Sequence, residues 1–148
     1  GQLDAEKVFG LPLGRYQPVG QTDSEHAFCW MLDQISSTFS TVPDDPEELH
    51  EAIRSYADQL RRYGVFNILL TDSTELYAYC STRLHWITRR APFGEAVLSD
   101  AQMCVNFSSK TTETDIVTVI ATEPLTTNES WQTMAPGELL VFDNGVHA

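Results

Sequence analysis

At Gly64 the hydrophobic period of the chain changes from that of helices to that of strands, and this single switch restricts the fold to helices layered on a sheet. Before it, Ala27, Phe28, Met31, Leu32, Ile35 and Phe39 recur at helical spacing behind Thr22 and Glu25, a capping-box pair. A helix over 23–39 is expected. The next helix is expected over 45–64, because Asp45 can cap, Pro46 suits the first helical position, and Glu47 and Glu48 complement the positive end of the dipole. Leu49, Ile53, Tyr56 and Leu60 form its apolar stripe, Arg61 and Arg62 fall in its last turn, and Gly64 can stop it in a left-handed conformation. The short acidic connection makes the two helices antiparallel neighbours.

After Gly64 the segments VFNILL, LYAYCS, LHWIT, AVL, MCVNF, DIVTVIAT and ELLVF are short, β-branched or aromatic, and separated by turn residues. DSTE, between the first two, suits a hairpin connection. The first twenty residues, with Gly10, Pro12, Gly14, Pro18 and Gly20, read as loop. The expected class is α+β, with two antiparallel helices on one face of a mostly antiparallel sheet.

A chain of 148 residues with 42% apolar and 20% charged residues fits a single domain with a real core. Its formal net charge of -12 repels phosphate backbones and anionic lipid, so neither nucleic acid nor a membrane is an expected partner. No apolar run approaches the length of a membrane span, and GQLDAEKVFG has no signal-peptide character. A soluble, cytoplasmic protein is expected. Cys29, Cys80 and Cys104 are widely spaced, which suits buried reduced thiols. His26, His50, His85 and His147 form no HExxH or His/Cys cluster, so no metal is expected. The sequons at Asn106 and Asn128 are chance matches in that setting.

Searches for nucleophile elbows, Walker loops and dinucleotide fingerprints find nothing, which leaves QTDSEHAFCWML as the chemically suggestive stretch. Asp23 falls in the first turn of a helix, where amide donors keep a carboxylate ionised and oriented, and such a group can grip an ammonium. The same residues also serve as ordinary capping devices.

Five ordered segments carry a wider resemblance: GQL at Gly1–Leu3, RYQPVGQTDSEHAFCWML at Arg15–Leu32, GVFNILLTD at Gly64–Asp72, YCSTRLHWITRRAPFG at Tyr79–Gly94 and VTVIATEPLTTNESWQ at Val117–Gln132. Together they resemble the class II glutamine amidotransferases, and within them the stand-alone bacterial type. The resemblance implies an N-terminal-nucleophile hydrolase fold, a four-layer αββα sandwich of which residues 1–148 are the C-terminal part. It implies chemistry in which a first-residue cysteine attacks the glutamine side-chain amide, a thioester forms and ammonia leaves. No cofactor is implied.

Two residues carry over. Gly1 matches the Gly of the Asn-Gly pair that supplies oxyanion donors, and Asp23 matches the Asp that holds the substrate α-amino group. The nucleophile, the oxyanion Asn and the Arg loop that binds the substrate carboxylate have no counterpart, so the chain alone is expected to be inactive. Cys29, Cys80 and Cys104 cannot replace a residue defined by its free amino group. Trp86 and Trp131 read as core or interface aromatics, Arg89 and Arg90 have no assigned role, and Glu123 either faces the cleft or bonds neighbouring amides. Expected partners are glutamine or a γ-glutamyl amide, the upstream segment of the same domain, and a second copy as a homo-oligomer. The alternatives to a glutaminase are a γ-glutamyl amide hydrolase and a non-catalytic scaffold.

Overall fold

The computed structural model describes residues 2–100, 104–106 and 112–148. The elements in chain order are β1 (Gln2–Leu3), α1 (Ala5–Phe9), α2 (Asp23–Thr38), α3 (Pro46–Leu60), β2 (Gly64–Val65), β3 (Ile68–Thr71), β4 (Glu75–Tyr79), β5 (His85–Arg90), β6 (Glu95–Val97), β7 (Cys104–Asn106), β8 (Ile116–Ala121), β9 (Gln132–Thr133), β10 (Leu139–Asp143) and β11 (Val146–His147). The class is α+β, and every strand pair described is antiparallel.

The caps explain where the two long helices begin. Thr22 accepts the Glu25 N–H at 3.2 Å, and Asp45 accepts the Glu47 N–H at 3.1 Å with Pro46 just inside. Three expectations need correction here. First, α2 is buried on more than the one predicted face: Cys29, Trp30 and Asp33 are buried with Ala27 and Met31, while Phe28 is 41% exposed. Second, α3 ends at Leu60 and a 3-10 turn over Arg61–Tyr63 follows, so Gly64 is not its left-handed stop. Gly64 instead adopts φ 142° and ψ -157° within β2. Third, the opening twenty residues are not all loop. They contain β1 and α1, the latter capped by Asp4 and anchored by a fully buried Val8.

A four-stranded sheet runs in the order β11-β10-β4-β3, and a three-stranded sheet in the order β8-β5-β9. Period-two alternation lets β4 serve both faces of its sheet. Tyr79 packs with Ala27, Trp30, Met31, Ala57 and Leu60 from the helices, whereas Ala78 and Cys80 pack with Leu140, Phe142, Trp86 and Ile120 toward the second sheet. The result is a helix layer, a sheet and a second sheet. Asp72 closes the β3–β4 hairpin in DSTE, as expected, by accepting the Thr74 and Glu75 N–H groups at 2.9 and 2.8 Å.

VFNILL is broken at Phe66–Asn67, because Asn67 Oδ1 turns to accept the Ser81 and Thr82 N–H groups. Strands β9 and β11 have two residues each and were not expected. Met103 and Phe107, the ends of the expected MCVNF strand, lie outside the described residues, as does Gly1. No helix among the described residues is long and apolar enough to cross a membrane.

Candidate functional site

Every acidic or imidazole side chain of TDSEHAFCWMLD is engaged by backbone, mostly from the segment before it. Asp23 Oδ2 accepts the Leu3 N–H at 3.1 Å, and its Oδ1 accepts the Ser24 N–H at 2.8 Å and the Ser24 hydroxyl at 3.3 Å. Glu25 does not complete the capping box by reaching back to Thr22. Its two oxygens take the Val19 and Gly20 N–H groups, both at 2.8 Å. His26 Nε2 donates to the Leu11 carbonyl at 3.1 Å. Asp33 is buried and gathers the N–H groups of Gly14, Arg15 and Tyr16 at 2.5, 2.9 and 3.1 Å. Those amides, Gly14 foremost, hold its carboxyl below the ordinary range against the opposing effect of burial.

The consequence is a fixed scaffold at the start of α2. The loop over residues 10–22 is strapped to the helix at three levels, and β1 is tied to its first turn by Asp23. Asp23 is half-buried and sits where the helix dipole favours an anion. Its two backbone amides and one hydroxyl leave acceptor capacity on Oδ2, since a carboxylate offers about four lone-pair sites, about two per oxygen, and Oδ1 already accepts two bonds. An ammonium could be held there. Beside it, Ser24 lines a groove of about 520 Å³ with Phe28, Met31, Phe66, Asn67 and Leu69, running along the edge of β3.

Four other residues of the resembling segments, Arg89, Trp131, Glu123 and Trp86, have defined partners in the structure. Arg89 holds Glu129 by two bonds, Nε to Oε1 at 2.7 Å and Nη2 to Oε2 at 2.5 Å. Thr126 donates to the same Oε2 at 2.5 Å and accepts the Trp131 indole N–H at 3.0 Å. The Arg89 guanidinium, then Thr126, holds the Glu129 carboxyl below its usual range. This clamp ties β5 to the 126–131 segment. Glu123 pairs with Arg83 on the surface, and Trp86 packs edge-on to Phe142 with ring centroids 5.4 Å apart.

The three cysteines stand apart, Cys29 on α2, Cys80 just past β4 and Cys104 on β7. Cys29 and Cys80 are buried, with desolvation raising both thiols, but Cys104 on β7 is exposed, which corrects the expectation of three buried thiols. Among the described residues no group of three His, Cys, Asp or Glu side chains could hold a metal ion. Two participants were missed from sequence. Leu3 contributes a backbone N–H, for which no side-chain signal exists, and Gly64 meets β1 so closely that its role is visible only once the strands are paired.

The family model for class II glutamine amidotransferases matches residues 1–148. A protein of Escherichia coli (strain K12) named "Putative glutamine amidotransferase YafJ" is 52% identical over 142 residues, covering 96% of this chain and 55% of its own length. A Haemophilus influenzae protein named "Putative glutamine amidotransferase" is 42% identical over 129 residues, covering 87% of this chain and 44% of its own. The crystal structure of a predicted glutamine amidotransferase from Pseudomonas aeruginosa superposes with a TM-score of 0.74 at 44% identity, over 92% of this chain and 56% of that one. The chain thus spans about half the length of the relatives it matches. With the family model matching from end to end, this chain belongs to the class II glutamine amidotransferases.

Proposed function

We propose that the whole protein hydrolyses the side-chain amide of glutamine, and that residues 1–148 form the C-terminal part of its one catalytic domain. The observation that carries this reading is the junction between α2 and β1. Asp23, the carboxylate matched to the substrate-ammonium grip, bonds Leu3, two residues from Gly1, the position matched to an oxyanion donor. That bond ties Asp23 to the strand that directly follows position 1 in the sequence, which supports the reading.

In the proposed reaction a cysteine thiol outside this chain loses its proton to its own α-amino group and attacks the amide carbon of glutamine. The carbonyl oxygen becomes an oxyanion, held by the Gly1 backbone N–H and by an Asn side chain outside this chain. Collapse to the thioester expels ammonia, which takes up the proton, and water then releases glutamate. Asp23 holds the α-ammonium of glutamine throughout and so fixes which carbon meets the thiol.

The test is an assay of ammonia and glutamate release by the full-length protein, against glutamine and a panel of γ-glutamyl amides. Stoichiometric release from glutamine is expected, and residues 1–148 alone should release none. Activity of residues 1–148 alone, or a full-length protein inert toward every amide, would overturn the proposal.

A further inference from the structure

We infer that Gly64 is a positioning residue for this site, setting how closely β1 approaches the first turn of α2. The inference rests on the proposed glutamine reaction for its consequence, but the geometry stands independently. Gly64 faces Leu3 in the β1–β2 pair, Val65 faces Gln2, and the Asp4 N–H donates to the Tyr63 carbonyl at 2.7 Å. A Cβ built on Gly64 would lie 2.3 Å from the Gln2 carbonyl oxygen and 3.0 Å from Leu3 Cα. Both obstructing atoms are backbone, so no side chain can swing aside.

The backbone of Gly64 makes a second demand, because φ 142° with ψ -157° belongs to a region open essentially to glycine. Helix termination does not account for this. The 3-10 turn has already ended α3, and a left-handed stop would need ψ near about +47°. What the glycine provides is close approach. β1 is held on one side by this contact, on another by the Asp23 bond to the Leu3 N–H, and from below by the Leu3 side chain in the core.

Any side chain at position 64 must therefore push β1 off β2, twist the Leu3 N–H away from Asp23, or both. In the sequence β1 directly follows Gly1, the proposed oxyanion donor. Displacement acts first on the oxyanion contact, and less on Asp23, whose other oxygen is held within its own helix by Ser24.

The experiment compares the full-length protein with its Gly64→Ala variant and with Ile53→Ala, a core truncation in α3 away from the site. Gly64→Ala is expected to lower kcat for glutamine by about 10-fold to 100-fold, approaching the loss of one oxyanion donor, while KM moves less than about 3-fold. Ile53→Ala should lower Tm with kcat retained. Hydrogen exchange at the Leu3 amide provides a readout independent of activity. Its protection should fall in Gly64→Ala and persist in Ile53→Ala. Should Gly64→Ala not fold, Val65→Gly loosens the same strand without adding atoms and should reduce Leu3 protection and kcat in the same direction, more weakly. Wild-type kcat together with wild-type Leu3 protection would overturn the inference. A protein inert toward glutamine would sink the proposed function, and Leu3 protection alone would then decide the role of Gly64.

Discussion

Asp23 and Glu129 both stand in short polar strings, TDSE and TTNESW, yet their surroundings differ in one physical respect. Glu129 has both oxygens occupied by a guanidinium and one also by the Thr126 hydroxyl, all charge-assisted bonds. Asp23 receives two backbone amides and a hydroxyl at longer range, all neutral donors, at a helix end whose dipole favours the carboxylate. Each carboxylate accepts three bonds, but one is already met by a cation and the other is held by neutral donors. What separates a structural clamp from a ligand site here is whether a cation has already matched the carboxylate's charge, and a motif string does not encode that.

The contrast is sharpest in stability, where the clamp should dominate. Glu129→Ala removes the carboxylate that accepts both paired bonds of Arg89, in a setting less than a fifth exposed. The expected cost is about 2–4 kcal/mol in a denaturant titration, the range for removing one member of a largely buried pair. A change below about 0.5 kcal/mol, the scale of ordinary surface substitutions, would mean that the clamp is slack.

Acid should expose the same clamp. The carboxyls of Glu129, Asp33 and Asp72 are all held below their ordinary range, by Arg89 in the first case and by backbone amides in the other two. Their unfolded values lie near about 4, so the unfolded chain takes up protons first as pH falls. The stability they contribute is complete above about pH 5 and is lost as pH drops through the folded values. Urea midpoints should hold between about pH 7 and 5 and fall between about pH 5 and 3, and Glu129→Gln should flatten the fall. An identical fall in the variant would remove the basis for calling Glu129 a clamp.

The same logic explains which parts were legible in the sequence. α2 and α3 were readable because Thr22, Asp45 and Pro46 mark their starts and a run of fifteen or more residues carries its own period. α1, β1, β9 and β11 have two to five residues each, too few to show a period, and exist because neighbours pair with them. Asp23 was found through its surroundings in the sequence and its resemblance. The Asp33 strap and the Gly64 approach were not, since each depends on chain segments that meet only after folding. Cys104 misled for a related reason: nothing in the sequence around it says that β7, which among the described residues pairs with β6, leaves the thiol exposed.

Asp23→Asn should have the smallest effect on folding and a large one on substrate. The amide keeps one oxygen able to accept the Leu3 N–H, and an asparagine is no worse than an aspartate as a neighbour to a capped helix start, so stability should change by less than about 1 kcal/mol. For glutamine the loss is different in kind. Replacing a carboxylate by a neutral amide removes the charge that faces the substrate ammonium and leaves an N–H₂ donor opposite another donor. KM in the full-length protein should rise at least about 10-fold, equivalent to roughly 1.4 kcal/mol of lost binding, with kcat much less affected, because the ammonium grip acts on ground state and transition state alike. Steady-state kinetics beside a denaturant titration tests both halves. An unaltered KM would remove Asp23 from the site, and a stability loss equal to that of Glu129→Ala would make it a second clamp.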